Sequence, residues 1–86
     1  MRLIFDRQFH SDLLWWARTD RVKFLKVLES IESISADPFN GIGKPEPLRY
    51  AREGTWSRRI TQEHRLVYAV RGEHIEFLQA RYHYEK

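Results

Sequence analysis

The chain contains no cysteine, which excludes disulfides and thiolate metal ligands. It has no apolar run long enough to span a bilayer and nothing resembling a secretory leader. The expectation is therefore a soluble, cytoplasmic protein with no membrane partner. Glycine and proline are scarce, at four and three residues. All three prolines and two of the glycines fall within residues 37–47, which reads as one ordered, turn-rich loop. Repeats, low-complexity segments and linkers are lacking. Eighty-six residues then make a single domain, residues 1–86. A domain of this size buries only about 60–65% of the surface exposed by its unfolded chain, so its core is modest and a partner is welcome.

What is present is unevenly distributed. The net charge is only +3. Residues 1–40 carry six Lys/Arg and six Asp/Glu, whereas residues 44–71 carry seven Lys/Arg against three Glu, a net +4. A basic region on one part of a small protein favours a polyanionic partner, although an ordinary solvated surface has the same signature.

Residues 2–6 read as a short strand and residues 7–18 as a helix, with Phe9, Leu13, Trp16 and Ala17 near one face. Asp20 is a candidate N-cap for a second helix over residues 21–36, where Phe24, Leu28, Ile31 and Ile34 form an apolar stripe. Asp37 and Pro38 end it. After the loop the apolar period changes to two, which predicts strands at residues 48–51, 56–61, 65–70 and 74–84. Their short connections make them antiparallel neighbours. The fold class is α+β: two N-terminal helices packed on one face of a twisted, mainly antiparallel sheet.

In the last hairpin, a turn at Gly72 and Glu73 sets Arg71 against His74, Val70 against Ile75 and Tyr68 against Phe77. Beyond Phe77 the apolar phase moves to Leu78, Ala80 and Tyr82. A one-residue bulge at Phe77 and Leu78 repairs the pairing. Leu66 then faces Ala80 on the core side. Arg65 faces Arg81 on the open side, with His83 further along.

The last third of the chain interleaves basic residues, histidines and tyrosines with strand-forming residues, an inventory suited to holding phosphate and moving protons. Cleaving RNA by its own 2′-hydroxyl needs a base, an acid for the 5′-oxygen, and fixed positive charge for the phosphorane. Arginine suits the phosphate through its planar fork. The open face offers Arg65, Arg81 and His83, and the loop offers Lys44 and Glu46, the latter held between Pro45 and Pro47. Arg81 also reads as a strand support or a salt-bridge partner of Glu63. His10, His64 and His74 read as solvated. No cofactor motif is present, and no spacing supports a metal site.

Four segments make the arrangement recognisable: Gly41 to Leu48, Trp56-Ser57-Arg58-Arg59-Ile60, Glu63 to Val70, and Arg81-Tyr82-His83-Tyr84. In this order and spacing the chain resembles the YoeB/Txe family of the RelE-like mRNA interferase superfamily, over essentially its whole length. The resemblance implies a RelE-like, microbial-RNase-like fold and a type II toxin that cleaves mRNA in the ribosomal A site, inhibiting translation without a metal. By position, Glu46 matches the family's general base, Arg65 the phosphate-stabilising arginine, His83 the general acid and Tyr84 the terminal tyrosine of the site. Lys44, Arg58 and Arg59 match positions that hold RNA backbone. Trp15-Trp16, the turn at Arg52-Glu53-Gly54, and Glu85-Lys86 depart from the family pattern. Implied partners are a YefM-like antitoxin, the ribosome, mRNA and, as a further possibility, a second copy in a homodimer. The competing readings are a catalytically silent binding module of the same fold, either a ParE-like gyrase poison or an RNA-binding regulator, and a purely structural partner domain.

Overall fold

A computed structural model of the chain describes residues 1–82. The elements are β1 (Arg2–Phe5), α1 (Arg7–Thr19), α2 (Arg21–Ala36), β2 (Glu46–Pro47), β3 (Thr55–Arg59), β4 (Arg65–Arg71) and β5 (His74–Gln79). They form one five-stranded sheet in the order β1-β5-β4-β3-β2. Only β1, which runs parallel to β5, departs from antiparallel pairing. The helices cover one face, where Phe9, Trp16, Val27 and Ile34 meet Ile60, Leu66, Tyr68, Ile75, Phe77 and Ala80. Among the described residues, no helix is long and apolar enough to cross a membrane.

The helix limits follow their caps. The Asp20 carboxylate accepts the Lys23 N–H at the start of α2. Asp37, at its end, accepts from the Phe39 N–H and the Asn40 amide. These bonds, the Phe39 amide first, hold its carboxyl below 3.8, with Arg58 adding in the same direction. A carboxyl depressed on folding contributes stability above its unfolded pKa, and that contribution is lost as pH falls through the lower folded value.

Both apolar stripes sit slightly differently from the sequence reading. In α1 the buried positions are Phe9, Asp12 and Trp16, and Ala17 is exposed. In α2 Val27, Ser30 and Ile34 are buried, while Leu28 is 40% exposed. Asp12 is the unexpected core member. It accepts from the Gln8 amide and from the Ala80 N–H, both at 2.8 Å, while Trp16 Nε1 donates to the Ala80 carbonyl at 2.7 Å. Two side chains of α1 thereby grip both backbone groups of the residue just beyond β5.

The bulge in the last hairpin is present. Tyr68 pairs with Phe77 and Val67 with Gln79, so Leu78 is the extra residue. The strand expected at residues 48–51 is not formed. The strand lies earlier, at Glu46–Pro47, and residues 48–54 make turns closed by bonds from Ala51 N–H to Leu48 O and from Thr55 N–H to Arg52 O. Pro47, without an N–H, suits this outermost position. The last strand ends at Gln79 rather than continuing toward the chain end.

Arg58 corrects the sequence reading most sharply. It pairs with Leu66, points under the helices, and is fully buried. Nε donates to the Tyr68 hydroxyl, Nη1 to Ser33 Oγ and the Ile42 carbonyl, and Nη2 to the Asp37 and Asn40 carbonyls. Every nitrogen is engaged, so Arg58 has nothing left for an RNA backbone. Tyr68 in turn donates to the Pro38 carbonyl, and burial raises its phenol above 10 against the opposing pull of Arg58. Gly41 is required here: a Cβ on it would lie 2.7 Å from Arg58 Nη1, and its φ is +137°.

Replacing Arg58 with alanine strands three loop carbonyls and two hydroxyls. The expected loss is about 3–5 kcal/mol, read as a lower urea midpoint. Arg58→Lys should recover only part of it, because an ammonium cannot span the five acceptors.

Candidate active site

Glu46 reaches the sheet because Pro45 and Pro47 stiffen the chain on either side and β2 pairs it with Ser57. Lys44, in the left-handed region at φ +52°, makes the turn that leads into this strand. Arg65 starts β4 directly after the tight turn over residues 61–64, in which Thr61 Oγ1 accepts from the Glu63 and His64 amides. The register places Ser57 beside Val67 and Arg59 beside Arg65. Glu46, Ser57, Arg59 and Arg65 therefore share the face away from the helices. That face is less open than expected, since Val67 and Ala69 on it are fully shielded.

Arg65 Nη1 lies 3.2 Å from Glu46 Oε1. The arginine side chain is 20% exposed and the carboxylate 57%. An ion pair this wet is worth about 0–1 kcal/mol, so it does not explain itself as a stabilising contact. It stands at the rim of a cavity of about 400 Å³ lined by Glu46, Pro47, Leu48, Arg49, Tyr50, Ser57 and Arg65. A carboxylate and a guanidinium facing one cavity can take a proton and hold an anion within the same few ångströms.

Of the residues singled out from sequence, Glu46 and Arg65 are brought together, and Arg59 is exposed on the same face. Lys44 is exposed two residues before Glu46 and does not line the cavity. Arg58 is excluded by burial. His83 and Tyr84 lie outside the described residues. Arg49 and Tyr50 line the cavity but were not foreseen, because residues 48–51 read as a strand rather than as a turn folding back over it. Their signal was the basic-aromatic pair Arg49-Tyr50, next to Glu46.

The approach to the chain end also differs from expectation. Arg81 does not join Arg65 on the open face. Its guanidinium carbon lies 3.8 Å from the centroid of the Trp15 ring on α1, a cation–π contact, and Nη2 donates to the Tyr82 hydroxyl. Arg81 is thus a support, not a partner of Glu63. His64 is only partly exposed and is held by specific contacts. Its ring lies among Trp15, Trp16 and Tyr82 at centroid distances of 6.0, 5.1 and 5.1 Å, and Nδ1 accepts the Tyr82 N–H at 2.8 Å. The Arg65 N–H donates to the Tyr82 carbonyl. Tyr82 sits at φ +58°, an unfavourable conformation for a non-glycine residue that these two bonds hold in place. The Tyr82 backbone is therefore fixed to His64 and to Arg65.

Residues 5–84 match the model of the YoeB-like toxin of bacterial type II toxin–antitoxin systems. The chain is 46% identical to Toxin YoeB of Escherichia coli K12 over 84 residues, covering 98% of this chain and all of that one. Among solved structures, a YoeB/ParE toxin from Agrobacterium tumefaciens is 43% identical with a TM-score of 0.91, over 98% of this chain and 100% of that chain. YoeB of Staphylococcus aureus has been solved as a dimer and in a heterotetrameric YoeB–YefM complex. Each is 38% identical over 98% of both chains, with TM-scores of 0.87 and 0.83.

His64→Phe keeps an aromatic ring in the cluster but removes the acceptor. Hydrogen exchange at the Tyr82 amide should accelerate while amides within β4 and β5 keep their protection. His64→Ala, which also loses the ring contacts, should cost about 1–2 kcal/mol, seen as a lower thermal midpoint.

Proposed function

The chain belongs to the family of YoeB-like toxins of bacterial type II toxin–antitoxin systems, and from that premise we propose that it is a ribosome-dependent, metal-independent mRNA endoribonuclease acting in the A site. The observation that carries this reading is the meeting of Glu46 and Arg65, 19 residues apart in sequence, at 3.2 Å on the rim of one cavity. Glu46 takes the proton of a ribose 2′-hydroxyl as that oxygen attacks phosphorus. Arg65 holds the phosphate and stabilises the phosphorane. The bond to the 5′-oxygen breaks as His83 supplies that oxygen with a proton. Tyr84 stacks on a splayed base, and Lys44 and Arg59 hold the backbone. The products are a 2′,3′-cyclic phosphate, or the 3′-phosphate derived from it, and a 5′-hydroxyl. The ribosome positions the codon, a proximity effect that a small cavity cannot supply alone. Acting on translating ribosomes places the protein in the cytoplasm.

Control follows from the same face. A YefM-like antitoxin, of the kind that accompanies the staphylococcal relative, offers acidic residues to Arg59 and Arg65 and covers the cavity. A homodimer, as in that relative, is the state proposed for the toxin without its antitoxin.

Two experiments test the reading. With purified protein, translating ribosomes and a defined mRNA, fragment ends should map to the A site. Arg65→Ala and His83→Ala should each slow cleavage by about 10²–10³-fold. Arg65→Ala should change stability by no more than about 1 kcal/mol, since its ion pair is wet. Intact mRNA, or full rates in both variants, would return the chain to the silent binding module. Secondly, co-expression with the adjacent antitoxin gene should relieve growth arrest, and the complex should melt well above the free toxin while showing no cleavage. A chain harmless alone and indifferent to that gene product would overturn this part.

A further inference from the structure

Among the described residues that line the cavity, Ser57 is the one that is fully buried. It lies on β3 in register with Glu46 on β2 and Val67 on β4. The Glu46–Arg65 ion pair joins β2 to β4, so it passes over the face of β3 on which Ser57 stands. Ser57 is 0% exposed and lines the cavity, yet its hydroxyl has no hydrogen-bond partner. Two other buried side-chain atoms among the described residues share that condition, the Nε atoms of Arg71 and Arg81. Those guanidinium groups are engaged elsewhere: Arg71 donates to the Glu53 carbonyl and pairs with Glu76, and Arg81 lies over Trp15. The Ser57 side chain has a single polar group, and that group has no partner among the described residues.

A buried hydroxyl without a partner costs the free protein stability, and alanine fits the same place without that cost. A hydroxyl kept there is explained when something entering the cavity pairs with it. Resting on the function proposed above, we infer that Ser57 is a substrate-contacting residue whose Oγ–H donates to a non-bridging oxygen of the scissile phosphodiester. In the free protein Glu46 and Arg65 satisfy each other over it. As the phosphate enters, Arg65 turns to the anion, Glu46 is released to the 2′-hydroxyl, and the phosphate gives Ser57 the acceptor that it lacks. The hydroxyl is a third anchor, and it fixes the depth at which the phosphorus sits.

The test uses Ser57→Ala and Ser57→Thr beside the wild type and Arg65→Ala, with A-site cleavage on translating ribosomes and thermal melting of each protein. Ser57→Ala should melt at or above the wild-type temperature yet cleave about 10–100-fold more slowly, the loss of one neutral donor. Ser57→Thr, which keeps the hydroxyl, should recover part of the rate. A structural role predicts the opposite pairing, a lower melting temperature with activity following stability, and that result overturns the inference. So does wild-type cleavage by Ser57→Ala while Arg65→Ala is slow, which leaves the proposed function standing. A wild-type protein that leaves mRNA intact on translating ribosomes overturns the function and this inference with it.

Discussion

The guanidinium of Arg58 is the constraint on which the site depends. The loop between α2 and β2 has almost no regular structure, and its carbonyls must find donors if they are to be buried. Arg58 supplies them from a strand. It ties the end of α2 through Ser33 and Asp37, the middle of the loop through Asn40 and Ile42, and the sheet through Tyr68. The loop thereby becomes a fixed arm that delivers Glu46 to the sheet edge in register with Ser57. One residue later on β3, Arg59 points to the opposite face and is exposed. Two adjacent arginines, sent to opposite sides by the pleat, thus serve opposite ends: one builds the scaffold, the other faces solvent beside the cavity.

A second polar clamp organises the other side of the site. The tight turn before Arg65 and the segment after β5 have no strand pairing to hold them beyond Gln79. α1 and the turn residue His64 take over that task. Asp12 and Trp16 bind the backbone of Ala80, Trp15 supports Arg81, and His64 takes the Tyr82 amide. The adjacent tryptophans have distinct physical roles here. Trp16 is a buried donor and Trp15 a platform for a cation.

The parts legible in the sequence were those governed by period and local chemistry. The helix spans, the Asp20 cap, the final hairpin and its bulge follow from apolar phase and turn residues, and the structure places them where the pattern does. The parts missed were those decided by tertiary hydrogen bonding. Arg58 was matched by the resemblance to a position that holds RNA backbone, whereas its burial is decided by five acceptors scattered over residues 33–68. Asp12 lay outside the apolar face read for the first helix, but its carboxylate accepts from a backbone amide 68 residues away. Residues 48–51 alternate like a strand, yet Pro47 and the turn bonds draw the chain off the sheet. In the candidate site, Glu46 and Arg65 were legible as chemistry from residue type, but their meeting depended on Arg58, which the family resemblance had assigned to RNA.

The molecule therefore holds two buried polar side chains in opposite conditions on one strand. Arg58 is satisfied at every nitrogen, and its burial specifies a single loop conformation. The hydroxyl of Ser57, its neighbour on the other face, has no partner among the described residues. Local consistency explains the first, since each bond supports the fold. It does not explain the second, and sites that break a local rule without a compensating contact are where function is found. The placement is orderly in that sense: the scaffold's polar demands are met under the helices, and the unmet one is left facing the cavity between Glu46 and Arg65. What the strand holds there is a donor without an acceptor among the described residues. In the role proposed for it, that donor is already in place once Arg65 and Glu46 part above it, which is the property that makes a fixed dipole effective in catalysis.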